Sequence, residues 1–412
     1  MRRQRGLYGL MGLAAMVGLS FIARPAVARV TTEQSASILV FAKVIADGTR
    51  DTIIQITNTS NNMRHAHCFY VDGAPEDFTQ DVSPLNPPRW TETDFDIWLT
   101  KQQPTHWVVS TGRWDDPTDD TCRKTSCSPS NSGANNGGAD CCDAGFDPGR
   151  VPPVGPHFTG ELKCIEVDAS GFPVPGNALK GEATLVTVGT GEVSKYNAVG
   201  LKGFDTNNMD GTLCLGGGVS GSCPSGAEYE ACPQTWILDH PSIGAPDLVV
   251  DSQSFCDKGT DGTNSCSSVS TTLTVVPCRE NFETQAPTSV TLQFQITNEY
   301  EQTFSASTTI TCWASYALDE INKIFTVDSV AGTILQTRMR SAAGTGGSTN
   351  GGVIAVLEEA HTQCPAVVSP AVQGCTGATQ TTSYAASNGH NSFADQSVQD
   401  IITIPSDQIQ LP

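Results

Sequence analysis

The sequence predicts an all-β protein built from two copies of a β-sandwich. Short segments rich in Val, Ile, Thr and aromatic residues alternate with turns that contain Gly, Asn, Asp and Pro, and no long segment has a helical period. The tetrapeptide Gln55-Ile56-Thr57-Asn58 returns unchanged at 295–298, and a Cys beside an aromatic residue follows each copy, at Cys68 and Cys312. The matching order of these features predicts an internal duplication.

The strands of the first copy are predicted from stretches that are apolar or that alternate with a period of two. In the segment 94–100, for example, Phe95, Ile97 and Leu99 alternate with polar residues and Trp98. The predicted strands are Ile38–Val44, Thr52–Thr57, His65–Val71, Asp94–Thr100, Trp107–Ser110, Glu161–Asp168 and Ala183–Val188.

The N-terminal residues are typical of a secretory signal peptide. Three Arg residues precede an apolar run, and Ala26-Val27-Ala28 fits an A-x-A cleavage site. We expect residues 1–28 to be removed and the mature chain to be secreted, periplasmic or at the cell surface. No later stretch is long and apolar enough to be a transmembrane helix.

The mature chain is predicted to divide into three parts. Residues 29–203 form the first sandwich, with a long insert rich in Asp and Cys at 112–158. Residues 204–270 are poor in apolar side chains and form a disulfide-rich connector, and residues 271–412 form the second sandwich.

The net charge and the cysteine content indicate which partners and which redox compartment to expect. The net charge of −20 makes the surface repel phosphates, so nucleic acid is not an expected partner. In an oxidising compartment most of the 15 Cys should pair. The Cys residues fall into sequence clusters, and pairing within clusters would leave the free or intermolecular thiol among Cys214, Cys223 and Cys232.

Several segments resemble immunoglobulin-like β-sandwich domains of exported bacterial proteins that have no assigned activity. The resemblance rests on the Val/Ile strand at 38–44, the D-T-x-I-Q-I-T-N strand at 51–58 and the strand that carries Cys68. It is a likeness of architecture, because such domains share little sequence. It implies two immunoglobulin-like sandwiches, but because such sandwiches have many unrelated functions, no catalytic residue can be carried over from it.

Two groups of residues are candidate metal ligands. His65 and His67 lie two apart on a predicted strand and so share a face, and His106 could complete a zinc or copper site. The alternative is a polar, solvent-facing strand. In the insert, carboxylates flank Cys residues that are expected to form disulfides, and clustered carboxylates of this kind suit weak Ca²⁺ binding. The alternative is a solvated loop held by disulfides. The positions chosen for Ca²⁺ are Asp119, Asp120, Asp140 and Asp143.

The sequence lacks the motifs of the common catalytic sites. Glu92, Asp94 and Asp96 alternate on one strand face and could serve acid–base hydrolysis of glycosides, although such residues are more often solvated. The resulting hypothesis is a secreted or cell-surface structural or binding protein, adhesive in character, whose partner is an extracellular protein or a glycan. The alternative is a secreted metal-dependent hydrolase with its site at the rim of a sandwich.

Overall fold

The computed structural model describes residues 34–79, 86, 88–113, 148–208, 210–246, 268–342, 351–363, 381–387 and 391–405. The all-β prediction is confirmed, with 57% strand against 4% helix. The strands form five sheets, which are arranged as a five-bladed β-propeller. The prediction of two duplicated immunoglobulin-like sandwiches is therefore wrong.

Sheet 1 contains the longest buried strands of the N-terminal half. Its order is β4-β3-β6-β1-β9, and all neighbouring strands are antiparallel. Strand β1 is buried along its whole length, which explains its near-continuous apolar sequence, and β6 is buried along nearly its whole length although it carries Glu161, Lys163 and Glu166. The strands are β1 Ile38–Ala46, β3 Arg64–Asp72, β4 Thr91–Leu99, β6 Phe158–Val167 and β9 Val199–Leu201.

Sheet 2 packs against one face of sheet 1. Its order is β5-β2-β7-β8, and it buries Ile54 and Ile56 as the alternation predicted. Between the two sheets, Trp107 Nε1 donates a hydrogen bond of 2.5 Å to Tyr70 Oη, and the Trp107 ring packs edge-on against Phe95. The strands are β2 Arg50–Asn58, β5 Pro104–Val108, β7 Leu179–Thr187 and β8 Val193–Asn197.

The C-terminal half supplies most of the other three sheets. Sheet 3 has the order β16-β15-β18-β11-β21, sheet 4 has the order β12-β13-β19-β20 with β17 beside β13, and sheet 5 has the order β10-β22-β14. Two α-helices, Leu318–Ile321 and Val327–Val330, and a 3₁₀ helix, Lys323–Phe325, precede β18. The strands are β10 Thr212–Leu215, β11 Thr235–Pro241, β12 Ala245–Pro246, β13 Ser268–Pro277, β14 Glu280–Asn281, β15 Ser289–Asn298, β16 Thr303–Thr311, β17 Ala314–Ala317, β18 Ile334–Ala342, β19 Val353–Gln363, β20 Thr381–Ser387, β21 Asn391–Phe393 and β22 Asp400–Thr403.

The segment predicted to be a connector explains why the sandwich prediction fails. Strand β10 pairs with β22 to build sheet 5, and β11 lies between β18 and β21 in the interior of sheet 3. Strands that follow one another also enter different sheets, since β2 belongs to sheet 2 while β1 and β3 belong to sheet 1. A segment that supplies β10, β11 and β12 to three different sheets cannot be a loop between two independent domains. The boundaries at 203/204 and 270/271 stay predictions.

The repeated tetrapeptide has the same local structure in both copies. It ends strand β2 at Asn58 and strand β15 at Asn298, and both Asn side chains are buried. In each copy the Asn Oδ1 accepts a hydrogen bond from a backbone N–H two residues later, at Ser60 and at Tyr300. The repeat therefore marks a turn in which a buried Asn side chain accepts a hydrogen bond from the backbone two residues later.

Three disulfides join described cysteines: Cys68–Cys164, Cys214–Cys223 and Cys232–Cys278. The free thiol was expected among Cys214, Cys223 and Cys232, and this prediction is wrong for the described residues because Cys232 reaches Cys278. The free cysteine there is Cys312, which is buried. Disulfides of this kind suit an oxidising compartment. Within the described ranges, no helix is long and apolar enough to cross a membrane.

Candidate functional site

The face of sheet 1 that points away from sheet 2 carries a row of ionisable side chains. The register places His65 beside Trp98 and His67 beside Asp96, and Asp94 and Glu92 follow along β4. The predicted period of two is therefore confirmed for both strands. The row combines two histidines and three carboxyls on one surface.

The two histidines of this row contact carboxylates. The Nε2 atom of His65 lies 2.7 Å from Asp96 Oδ1, and its Nδ1 lies 2.9 Å from the carbonyl oxygen of Asp168. The imidazole also stacks on Trp98 with a centroid distance of 3.4 Å. The Nε2 atom of His67 lies 3.2 Å from Asp94 Oδ2. Burial raises the pKa of Asp96, but the hydrogen bond with His65 and the nearby His67 outweigh it, so the pKa lies below its ordinary value.

The structure does not bring His65, His67 and His106 together as a metal site. His106 lies on β5 in sheet 2, where it pairs with Gln55 and is exposed. Among the described residues, no group of three or more His, Cys, Asp or Glu side chains is arranged to bind a metal ion. The candidate Ca²⁺ ligands Asp119, Asp120, Asp140 and Asp143 lie outside the described residues, so that prediction stays a prediction.

A buried group that we call the Lys163 cluster lies farther along the same face, under sheet 5. It consists of Lys163 and Glu161 on β6 and Glu280 on β14, which are 0%, 0% and 5% exposed. The Lys163 Nζ atom lies 2.8 Å from Glu161 Oε2 and contacts Glu280 Oε2. The Phe282 ring stacks on Phe69 at 4.1 Å, and Lys163 Nζ lies 5.8 Å from the Phe282 centroid. One amine therefore faces two carboxyls in a setting walled by aromatic rings.

The Lys163 cluster contains two carboxyls and one amine, and this excess of carboxyls affects the pKa of each acidic group. Burial and the charge of Glu280 raise the pKa of Glu161 to about 8, against the opposing effect of Lys163. Burial also raises the pKa of Glu280. Among the described residues, Glu161 Oε1 and Glu280 Oε1 have no hydrogen-bond partner. Glu92 extends the acidic region, since burial and Glu280 raise its pKa to about 8.

A second buried group, which we call the Glu358 cluster, contains more cations than carboxylates. It consists of Glu358 on β19, Lys43 on β1, Arg50 on β2 and Ser194 on β8, and so it joins sheets 1, 2 and 4. Arg50 donates to both Glu358 oxygens at 2.7 and 2.6 Å, Lys43 Nζ lies 2.8 Å from Oε2, and Ser194 Oγ donates to Oε1 at 2.9 Å. Burial raises the pKa of Glu358, but its hydrogen bonds and the two cations lower it to about 2.

An open cleft with a volume of 760 Å³ lies on sheet 3. The register forms two parallel rows across it, in which Gln293 lies between Ser307 and Arg340, and Gln295 lies between Ser305 and Arg338. Arg340 donates to Gln293 Oε1 through Nε at 2.9 Å and Nη2 at 2.7 Å. The lining is completed by Phe294, Thr303, Phe304, Ala306 and Asn322.

The charge of this cleft is opposite to that of the whole chain. Both of its charged lining residues are cationic, Arg338 and Arg340, and both are exposed. None of the described residues that line it is acidic, although the chain carries a net charge of −20. Side chains of Gln, Ser, Thr and Asn supply further donors and acceptors. The cleft can therefore bind an anion that also carries hydroxyl groups.

No family model matches this chain, and no curated protein matches it either. The resemblance to exported bacterial proteins that have no assigned activity stays a prediction. Sequence reasoning missed both buried clusters and the cleft. Signals for two of them were present: Glu161 and Lys163 occupy alternate positions of β6, and Arg338 and Arg340 alternate in the same way on β18.

Proposed function

We propose that this protein is a secreted or cell-surface binding protein that uses the sheet 3 cleft to hold an acidic glycan. The observation that carries the proposal is the pair of exposed guanidinium groups, Arg338 and Arg340, in a cleft that no acidic residue lines within the described part of the chain. The disulfides and the signal-peptide pattern support export.

The chemistry of the cleft suits a sugar chain that bears carboxylates. A guanidinium group binds a carboxylate through two parallel hydrogen bonds. Residues two apart on one strand are about 7 Å apart, so Arg338 and Arg340 can reach two negative groups of one ligand. Gln295, with the Ser side chains beside it, can bond sugar hydroxyls.

The experiment is a calorimetric titration with oligogalacturonate, which has a carboxylate on every sugar, and with its methyl-esterified form, which is neutral. We expect binding of the acidic form only, at low salt, and a weakening as salt increases. The variant Arg338→Ala/Arg340→Ala should lose the binding.

The matched control is Lys195→Ala, which removes an exposed cation from β8 in sheet 2 and should bind as well as the wild type. Equal binding of the neutral and acidic forms, or full binding by the double Arg variant, would refute the proposed role of the cleft.

A further inference from the structure

We propose that Lys163 and Glu280 condense into an amide cross-link between sheets 1 and 5, with Glu161 as the carboxyl that carries protons for the reaction. The cross-link would be formed by the protein on itself, and it does not depend on the ligand proposed above. It would tie β6 to β14 across 117 positions of the chain.

The first argument is proximity. The Lys163 Nζ atom already contacts the carboxyl group of Glu280, and both side chains are held by strands of regular sheets. Two reacting groups fixed side by side react as if each were present at a very high concentration. The amine needs no large movement to reach the carboxyl carbon.

The second argument is the absence of competing water. Lys163 and Glu161 have no exposed surface, and Glu280 is 5% exposed. The stacked rings of Phe69 and Phe282 form one wall of the cluster. An enclosed, apolar setting favours neutral groups over charged ones and limits hydrolysis of the product.

The third argument concerns protons. The amine must lose a proton before it can attack, and the carboxyl must gain one so that hydroxide is not the leaving group. Burial raises the pKa of Glu280, whereas for Lys163 the effect of burial is outweighed by the charges of Glu161 and Glu280, which raise its pKa. The resting pair is therefore ionic, and the reaction starts when the ammonium proton of Lys163 passes to Glu280 across their contact, which converts two buried charges into neutral groups. The pKa of Glu161 is about 8, so near neutral pH this residue holds a proton that it can deliver.

The reaction balances without an oxidant or a co-reactant. Lys163 Nζ, as a neutral amine, forms a bond to Cδ of the protonated Glu280. Glu161 donates its proton to the departing hydroxyl group and takes one proton from the nitrogen. The carbon–oxygen bond breaks, one water molecule leaves, and Glu161 regains its original state. The product is a neutral secondary amide, whose carbonyl oxygen can accept a hydrogen bond from Glu161.

The Glu358 cluster provides an internal control, because it contains another buried Lys–Glu pair at 2.8 Å. There, two hydrogen bonds from Arg50 hold Glu358 as a carboxylate, and its pKa of about 2 leaves it without a proton at neutral pH. A carboxylate is a poor electrophile. The same molecule should therefore cross-link Lys163 to Glu280 and leave Lys43 free.

The test is peptide mapping of the folded wild-type chain after denaturation, reduction and alkylation, with a protease that cleaves only after Lys. Cross-linked Lys163 is not cleaved, so we expect residues 125–180 to be joined to residues 259–323 with the loss of one water. In this digest Glu280 is internal, so cyclisation of an N-terminal Glu cannot imitate that loss. Recovery of separate peptides that end at Lys163 and contain unmodified Glu280 would overturn the proposal.

Two variants test the roles of the residues. Lys163→Met should show the full, unlinked mass. Glu161→Gln keeps the shape of the side chain but cannot carry a proton, so it should fold and form the link many times more slowly. Linking in Glu161→Gln at the wild-type rate would overturn the role of Glu161. A link between Lys43 and Glu358 in the wild-type digest would contradict the argument from protonation.

Discussion

The two Lys–Glu clusters of this protein are buried to a similar extent, but the pKa shifts of Glu161 and Glu358 have opposite directions. In the Glu358 cluster one carboxylate meets two cations and a hydroxyl, and the pKa of Glu358 falls to about 2. In the Lys163 cluster one amine meets two carboxyls, and the pKa of Glu161 rises to about 8. Burial raises the pKa of both carboxyls, so the direction of the shift is decided by the hydrogen bonds and charges of their partners. We infer that the Glu358 cluster holds sheets 1, 2 and 4 together, whereas the Lys163 cluster is reactive.

The largest effect on stability is expected from Glu358→Gln. This change leaves Lys43 and Arg50 buried without their counter-charge, and breaking a buried ion pair in this way costs about 3–5 kcal/mol. The measurement is the free energy of unfolding from denaturant titration. The matched control is Glu182→Gln, which breaks an exposed pair with Lys195 and should cost at most about 1 kcal/mol. Equal costs for the two variants would mean that Glu358 is not the centre of a buried network.

The next effect is the loss of stability in acid. The pKa of Glu358 is about 2 in the folded protein and 4.5 as an ordinary Glu, so its contribution is complete above pH 4.5 and is lost as the pH falls through 2. The shift corresponds to about 3 kcal/mol by linkage. Unfolding free energies measured between about pH 6 and about pH 2 should fall more steeply for the wild type than for Glu358→Gln. Parallel curves would contradict the lowered pKa.

A smaller effect is expected from Ser194→Ala. The hydroxyl donates to Glu358 Oε1 at 2.9 Å, and both residues are buried. Its removal should cost about 1–2 kcal/mol, because Arg50 and Lys43 still satisfy the carboxylate. Thermal or denaturant unfolding measures the change. A cost as large as that of Glu358→Gln would show that Ser194 holds the sheets together by packing rather than through this hydrogen bond.

The strands could be predicted from the sequence far better than the sheets. The predicted segments at 38–44, 52–57 and 65–71 lie inside β1, β2 and β3, because alternation and apolar runs report burial directly. The pattern of a strand does not indicate which distant strand it pairs with. The pairing of β10 with β22, which lie nearly 200 residues apart, was therefore not predicted. Both clusters depend on such pairings.

The predicted sites show the same limit. The shared face of His65 and His67 followed from their spacing, whereas the position of His106 in another sheet did not. The meeting of Lys163 with Glu280 requires sheet 5, which is built from the predicted connector, from β14 and from the last described strand. The side chains that lie beside one another could therefore be predicted where one strand or one hairpin supplies them. They could not be predicted where they come from different sheets.

The most direct test of the comparison is the pH dependence of the difference in unfolding free energy between the wild type and Glu161→Gln, measured on chains that the peptide map shows to be unlinked at Lys163. A carboxyl whose pKa rises from 4.5 to about 8 on folding contributes stability below pH 4.5 that is lost as the pH rises through 8. We predict that the wild type loses stability relative to the variant between about pH 5 and about pH 8, by up to about 1.4 kcal/mol per pH unit. A difference that stays constant over this range, or that grows in favour of the wild type, would contradict the acid excess of the Lys163 cluster.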